Sequence, residues 1–459
     1  MILFLHRKDL RVDDLPGFDY IREHRCPSLH VLILDPFLLR QERYLEHSGI
    51  NFLQHARRLQ EQYAAAGARL HVLWGEPAEV VRRLLAEHEV KELVFHEDFT
   101  PYAIARDRAL REVASEAGVA VTALPELPLV DLRDFQRWSG RSEPYKVFTP
   151  FYRKWCDYLR ERFRPPFAAH VRELHCAPLA AGAAGLATLP AEPAAALAGA
   201  ACPGAAPEEE LAAFLGERLA GYAGGRDRYA SDRTSRLSRH LNVGALSIRA
   251  VYAALSDSGD DAEPWRRQLA WRDFYLYQAR LDPRFFTYEK SYDFSSLSKH
   301  HFSAWAEART GIPIIDAAMT ELNTTGWMPN RLRMITAMFL TKNLLCPFTY
   351  GERYFRRKLN DYDNSLNRGG WLWCASLGFD AAPYFRIMNP VTQSETHDPS
   401  GTYIRRWLPE LAHLPDKLIH KPQPHAIVDL RASRARAVEV YKELLAGRRW
   451  SEEDAGTEE

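Results

Sequence analysis

Over residues 1–130, short apolar runs alternate with amphipathic stretches. The runs at 2–5, 29–34, 70–73, 93–95 and 119–123 have the length and continuity of buried parallel strands. Residues 47–65, 77–89 and 101–117 space their apolar positions as helices do. The alternation predicts a doubly wound parallel sheet. From residue 208 the strand signals nearly vanish. Candidate helices follow at 208–221, 247–255, 264–280, 312–323, 330–345, 351–359 and 433–446. The chain therefore reads as an α/β domain over residues 1–130, an interdomain linker over 131–207 and an all-α domain over 208–450. Within the linker, residues 176–207 hold 15 Ala, 5 Pro and 4 Gly, and Glu192 is their only charge. That composition fits a surface connection with room for a helical turn. The acidic tail 451–459 is expected to be disordered.

Composition removes several classes. At 459 residues the chain is long enough for two or three domains. Its formal net charge is zero, so any contact with nucleic acid must come from a local patch. No apolar run reaches the ~18 residues of a membrane span. The N-terminus turns charged at Arg7 and Lys8, unlike a signal peptide. Six scattered cysteines contain no CxxC pair, so no metal site is expected, and free thiols in a cytoplasmic protein are the simplest account. No GxGxxG follows the first strand, so the sheet carries no ordinary dinucleotide fingerprint. Aromatic content, with 11 Trp, is high.

Three segments carry candidate chemistry. Tyr222 precedes Thr234, Ser235, Arg236, Leu237 and Ser238, and hydroxyls with backbone N–H groups ahead of a helix can cradle phosphates or cap the helix. Residues 265–275 place Gln268, Trp271, Arg272 and Tyr275 on one helical face, which suits stacking and hydrogen bonding to a base as well as a partly buried helix. Residues 325–334 lead into 364–373, where Asn367, Gly369, Gly370, Trp371 and Trp373 crowd into one short stretch. Between Arg331 and Lys358 seven Lys/Arg face one acid, Glu352. Basic residues beside stacking aromatics suit a nucleic-acid surface.

Taken together, Thr-Ser-Arg-Leu-Ser, Trp-Arg-Asp-Phe-Tyr, Thr-Gly-Trp-Met-x-Asn-Arg-Leu-Arg-Met and Gly-Gly-Trp-x-Trp, in this order, resemble the photolyase/cryptochrome family over nearly the whole chain. The likeness is nearest to bacterial class I enzymes for cyclobutane pyrimidine dimers. Residues 143–152 also look like the family's interdomain segment. The resemblance implies an N-terminal antenna domain and a helical domain holding U-shaped FAD. It implies that Tyr222, Thr234, Ser235, Arg236, Leu237, Ser238 and Trp265 line the FAD pocket. Arg333 and Asp361 would form an ion pair over the flavin ring, favouring its anionic reduced form. Asp363 would touch the flavin or adenosine part, and Asn367 would face the reactive ring nitrogen. Trp271 and Trp373 would flank a lesion flipped out of UV-damaged DNA. Gln268, Tyr275, Asn330, Arg331 and Met334 would line its pocket, with Arg272, Arg331 and Gln393 on the DNA backbone. The implied protein is a monomer that acts on DNA and does not enter membranes.

The same resemblance sets alternatives. Enzymes for (6-4) photoproducts carry His at the positions of Asn330 and Met334, and neither residue here is a general acid. Gln268 replaces the Glu of most dimer photolyases and is typical of (6-4) enzymes, yet its amide still donates a hydrogen bond. A cryptochrome photoreceptor is the alternative from another class. In the family's photoreduction chain Trp371 matches the tryptophan nearest the flavin. Phe348 stands at the middle position, and no Trp lies near Phe294 or Ser295. Tyr350, Trp373 or Tyr354 offers a detour, or light-driven reduction is slow. The antenna is left open among 8-hydroxy-5-deazaflavin, methenyltetrahydrofolate, a flavin or none, with Ala103 replacing the Glu that grips folate.

Overall fold

The computed structural model describes residues 1–179, 188–200, 205–255 and 259–447. The expected tail at 451–459, and the linker stretches at 180–187 and 201–204, lie outside the described residues. All five apolar runs are strands: β1 (Ile2–His6), β2 (Ser28–Leu34), β3 (His71–Trp74), β4 (Glu92–His96) and β5 (Ala120–Leu124). They form one parallel sheet in the order β3-β2-β1-β4-β5. Side chains alternate across it. Ile2 and Phe4 enter one core, while Leu3 and Leu5 enter the other. Helices α1 (Pro16–His24), α2 (His47–Ala65), α3 (Pro77–Glu87) and α4 (Pro101–Glu116) cover the two faces. Proline opens three of them, where its missing N–H is not needed.

Part of the stretch expected as linker is built into the helical domain. Helix α5 (Phe148–Arg162) buries Phe151, Trp155 and Tyr158. It packs on α6 (Glu263–Leu281), where the Trp155 indole donates to Asp273 at 2.9 Å. The alanine-rich stretch contains a helix, Ala191–Gly199. The remaining main elements are α7 (Pro313–Thr325), α8 (Asn330–Met338), α9 (Phe348–Lys358), α10 (Asn364–Cys374) and α11 (Leu430–Ala446). Helix α8 runs on into a wider turn, Phe339–Asn343.

Buried charges join the two domains. The Arg249 guanidinium reaches Asp14 Oδ1 at 3.0 Å and Glu126 Oε2 at 2.8 Å. Arg11 pairs with the other oxygen of Glu126, and the Ser247 hydroxyl donates to Asp14. Gly244, with φ +68°, lies where a Cβ would stand 2.0 Å from the Lys8 carbonyl oxygen, so only glycine lets the backbones meet there. Lys8 itself reaches Asp98 at 3.7 Å and Asp363 at 3.6 Å. Burial opposes its charge, but the two carboxylates outweigh burial and hold its pKa above the ordinary lysine value. Beside this seam His55 of α2 meets His240 at 3.0 Å, and His240 meets Glu210 at 3.0 Å.

Candidate functional site

The basic segment around Arg333 builds one wall. Arg333 Nη2 donates to Asp361 Oδ2 at 2.9 Å, and its Nε donates to the Met328 carbonyl at 2.7 Å. That second bond fixes the guanidinium plane. Asp361 Oδ1 is buried and has no hydrogen-bond partner among the described residues. The Trp327 ring receives Arg333 at 5.7 Å and Arg236 at 5.5 Å, tying the Thr234–Ser238 loop to this wall. In that loop Arg236 has φ +57° and Leu237 is fully buried. Ser235 Oγ accepts from the Leu237 N–H at 3.4 Å, and Ser238 opens a four-residue helix. Among the described residues the Thr234 and Ser238 hydroxyls have no partner. Tyr222 and Trp265 are both buried against Phe214, at 5.9 and 4.9 Å.

Helix α10 builds the second wall. It forms despite two glycines because Asp363 caps it, accepting from the Ser365 and Leu366 N–H groups at 2.9 and 3.1 Å. With Lys8 on its other oxygen, the Asp363 carboxylate is engaged on both sides. Gly369 is required by contact, since a Cβ there would stand 2.2 Å from the Tyr275 ring. Gly370 has open space around it. Asn367 donates to the Glu352 carbonyl at 3.1 Å, which leaves its own amide oxygen free to accept. One turn on, Trp371 is buried, while Trp373 is half-buried.

The α6 face and its neighbours form a third wall. Trp271 stacks on Phe148 of α5, centroids 3.7 Å apart and planes 5° from parallel. Tyr275 lies 5.7 Å from Trp271. Gln268 is half-buried; its oxygen accepts from Arg226 at 3.4 Å, and its nitrogen donates to the Pro264 carbonyl at 3.2 Å. Arg331 of α8 pairs with Asp227 at 2.6 Å, which outweighs burial and holds that carboxyl below its ordinary range. Asn330 is exposed and donates to the Met334 sulfur at 3.6 Å. Gln393 lies on the helix Pro390–His397 beside Tyr229, with its side-chain oxygen buried and unpartnered. Arg272 is buried beside Asp273 at 3.5 Å, because α6 is covered on more than one face. Trp271 and Trp373 make no ring contact with each other.

Comparison with known proteins decides the family. Residues 2–170 match the family DNA photolyase, and residues 265–446 match the FAD binding domain of DNA photolyase. The deoxyribodipyrimidine photo-lyase of Alkalihalophilus pseudofirmus is 36% identical over 455 residues, covering 91% of this chain and 88% of the relative. That of Escherichia coli is 36% identical, covering 81% and 82%. The chain belongs to the DNA photolyase family. Its fold agrees: the bacterial class III photolyase of Agrobacterium tumefaciens superposes with a TM-score of 0.81 at 30% identity, covering 97% and 98%. An archaeal photolyase from Sulfolobus tokodaii, solved with two FAD molecules, gives 0.81 at 29%, covering 96% and 99%.

FAD is thus the cofactor of this photolyase's helical domain, and the residues fit it. The orphaned Asp361 oxygen wants an N–H or O–H donor, and the flavin and ribityl parts of FAD carry both. The free hydroxyls of Thr234 and Ser238 are placed for phosphate or sugar oxygens. Several participants escaped the sequence reading. Phe148 carried a signal only as part of the Glu-Pro-Tyr-Lys-Val-Phe segment. Trp327 stood in a quoted motif without a role. Lys8, Arg226 and Asp227 act through partners far away in sequence, which no local pattern reveals.

Proposed function

We propose that this photolyase splits cyclobutane pyrimidine dimers in UV-damaged DNA by light-driven electron transfer. When bound, reduced FAD supplies the excited electron and takes it back. The supporting observation is the Arg333–Asp361 pair, a fixed guanidinium beside a buried carboxylate whose second oxygen is free. Arg333 favours negative charge on whatever lies against it, and Asn367 presents an amide oxygen from α10. Trp271 offers a flat apolar face to a base flipped out of the duplex. Gln268 supplies an amide that donates at any pH, so its replacement of Glu does not remove the hydrogen bond to a dimer carbonyl. Arg331 and the half-buried Gln393 hold the DNA backbone, with Arg331 exchanging Asp227 for a phosphate.

Asn330 and Met334 contact each other, and neither can give a proton to a substrate, which favours the dimer over the (6-4) photoproduct. A photoreceptor reading has one observation behind it: the cryptochrome of Synechocystis shares the fold at a TM-score of 0.81 and 25% identity. We assign the protein to the cytoplasm as a monomer; no helix among the described residues is long and apolar enough to cross a membrane. The test is repair of an oligonucleotide carrying one thymine dimer. Light-dependent repair supports the lyase. Absence of repair with FAD fully bound favours the photoreceptor.

A further inference from the structure

A buried file of aromatic rings leads from α10 to the edge of α9. Trp371 meets Trp305 with centroids 6.2 Å apart and planes at 74°. Trp305 meets Tyr354 at 5.6 Å and 66°. Phe355 fills the angle between the indoles, 5.1 Å from Trp371 and 5.9 Å from Trp305. Trp305 is wholly buried, and its Nε1 donates to the Thr336 carbonyl at 3.1 Å. Tyr354 is half-buried; its hydroxyl donates to Asn323 Oδ1 at 2.6 Å and lies 2.9 Å from the Ala306 carbonyl oxygen. A different file starts at Phe348. That ring lies edge-on to Phe294 at 6.1 Å, and Phe294 stacks with Tyr292 at 6.4 Å. Two phenylalanines in succession make a poor electron path, since a benzene ring is much harder to oxidise than an indole or a phenol.

We propose that Trp371, Trp305 and Tyr354 carry electrons from solvent to oxidised flavin excited by light, in place of a path through Phe348. The proposal rests on the reading that FAD lies beside Trp371. Trp371 gives one electron to the flavin, Trp305 refills Trp371, and Tyr354 refills Trp305. The Thr336 carbonyl stabilises the positive indole of Trp305 while the charge rests there. Tyr354 releases its hydroxyl proton along the bond to Asn323 as its electron leaves, and that proton passes to water. The aromatic path therefore keeps no positive charge, and the added electron stays on the flavin. A thiol in solution then returns one electron and one proton to Tyr354.

The experiment uses the full chain loaded with oxidised FAD, read by flash absorption and by flavin bleaching under steady blue light with added thiol. The wild type should show a tryptophan signal that gives way to a tyrosyl band. Tyr354→Phe, which removes one hydroxyl, should lose that band and slow the bleaching. Trp305→Phe should leave only a short-lived Trp371 signal, lose the tyrosyl band and slow the bleaching further. Wild-type signals in Tyr354→Phe and Trp305→Phe, at full flavin content, would overturn the relay. A wild type that holds FAD yet never bleaches would overturn it too. A chain that holds no FAD would instead overturn the cofactor reading beneath it.

Discussion

Arg249→Met tests whether the two domains are held by the buried ion cluster. Arg249, Asp14 and Glu126 are each 5% exposed or less. The substitution removes the partners of Asp14 Oδ1 at 3.0 Å and Glu126 Oε2 at 2.8 Å, and a bond to the Asp14 carbonyl at 2.8 Å. Burial raises the Glu126 pKa, but Arg11 and Arg249 together hold it below the ordinary value. After the change Arg11 still serves Glu126, while Asp14 keeps only hydroxyl and backbone donors. Stranding a buried charge costs about 3–5 kcal/mol. Urea unfolding followed by circular dichroism should show a loss of that size. Arg249→Met with Asp14→Asn should recover part of it, because the stranded charge is gone. A loss under about 1 kcal/mol, the level of an exposed pair, would refute the reasoning, as would a double variant no better than the single.

Three further outcomes are expected. Burial, with the nearby His240, pushes the His55 pKa down to about 3. The unfolded chain binds a proton near the ordinary value while the fold refuses it, so stability falls by about 1.4 kcal/mol per pH unit below about 6.5. His55→Leu should flatten the urea midpoint between pH 6 and 4, and an unchanged slope would contradict this. Burial likewise pushes the Lys342 amine down to about 6, so stability should rise with pH from 6 toward 9, and Lys342→Met should remove that slope. Trp271→Ala should weaken binding of dimer-containing DNA by about 1–3 kcal/mol in a gel-shift titration, the worth of one stacked base. Equal affinity would show that Trp271 serves only Phe148.

The parts of the structure legible in the sequence are those fixed by local pattern. The five strands are continuous apolar runs, and α2 occupies the amphipathic stretch 47–65. Helix α10 was not legible as a helix. Its glycines argue against one; the Asp363 cap directly precedes it, but the Tyr275 ring against Gly369 comes from α6. Helix α5 looked like linker because its aromatics find their burial on other segments, Phe151 against Phe274 of α6 at 5.1 Å and Tyr158 against Phe135 at 5.5 Å. The burial of Arg272 was hidden for a related reason. A pattern read on one face of α6 cannot tell that the helix is enclosed on others. The Arg249–Asp14 contact spans 235 positions and has no local signature at all.

The most direct measurement is repair of an oligonucleotide with one thymine cyclobutane dimer, by protein whose FAD has been chemically reduced beforehand. Reduction in advance removes any dependence on the Trp371–Trp305–Tyr354 path. Restored thymines under blue light and none in the dark is the predicted result. Full FAD occupancy without restored thymines in the light would contradict the account.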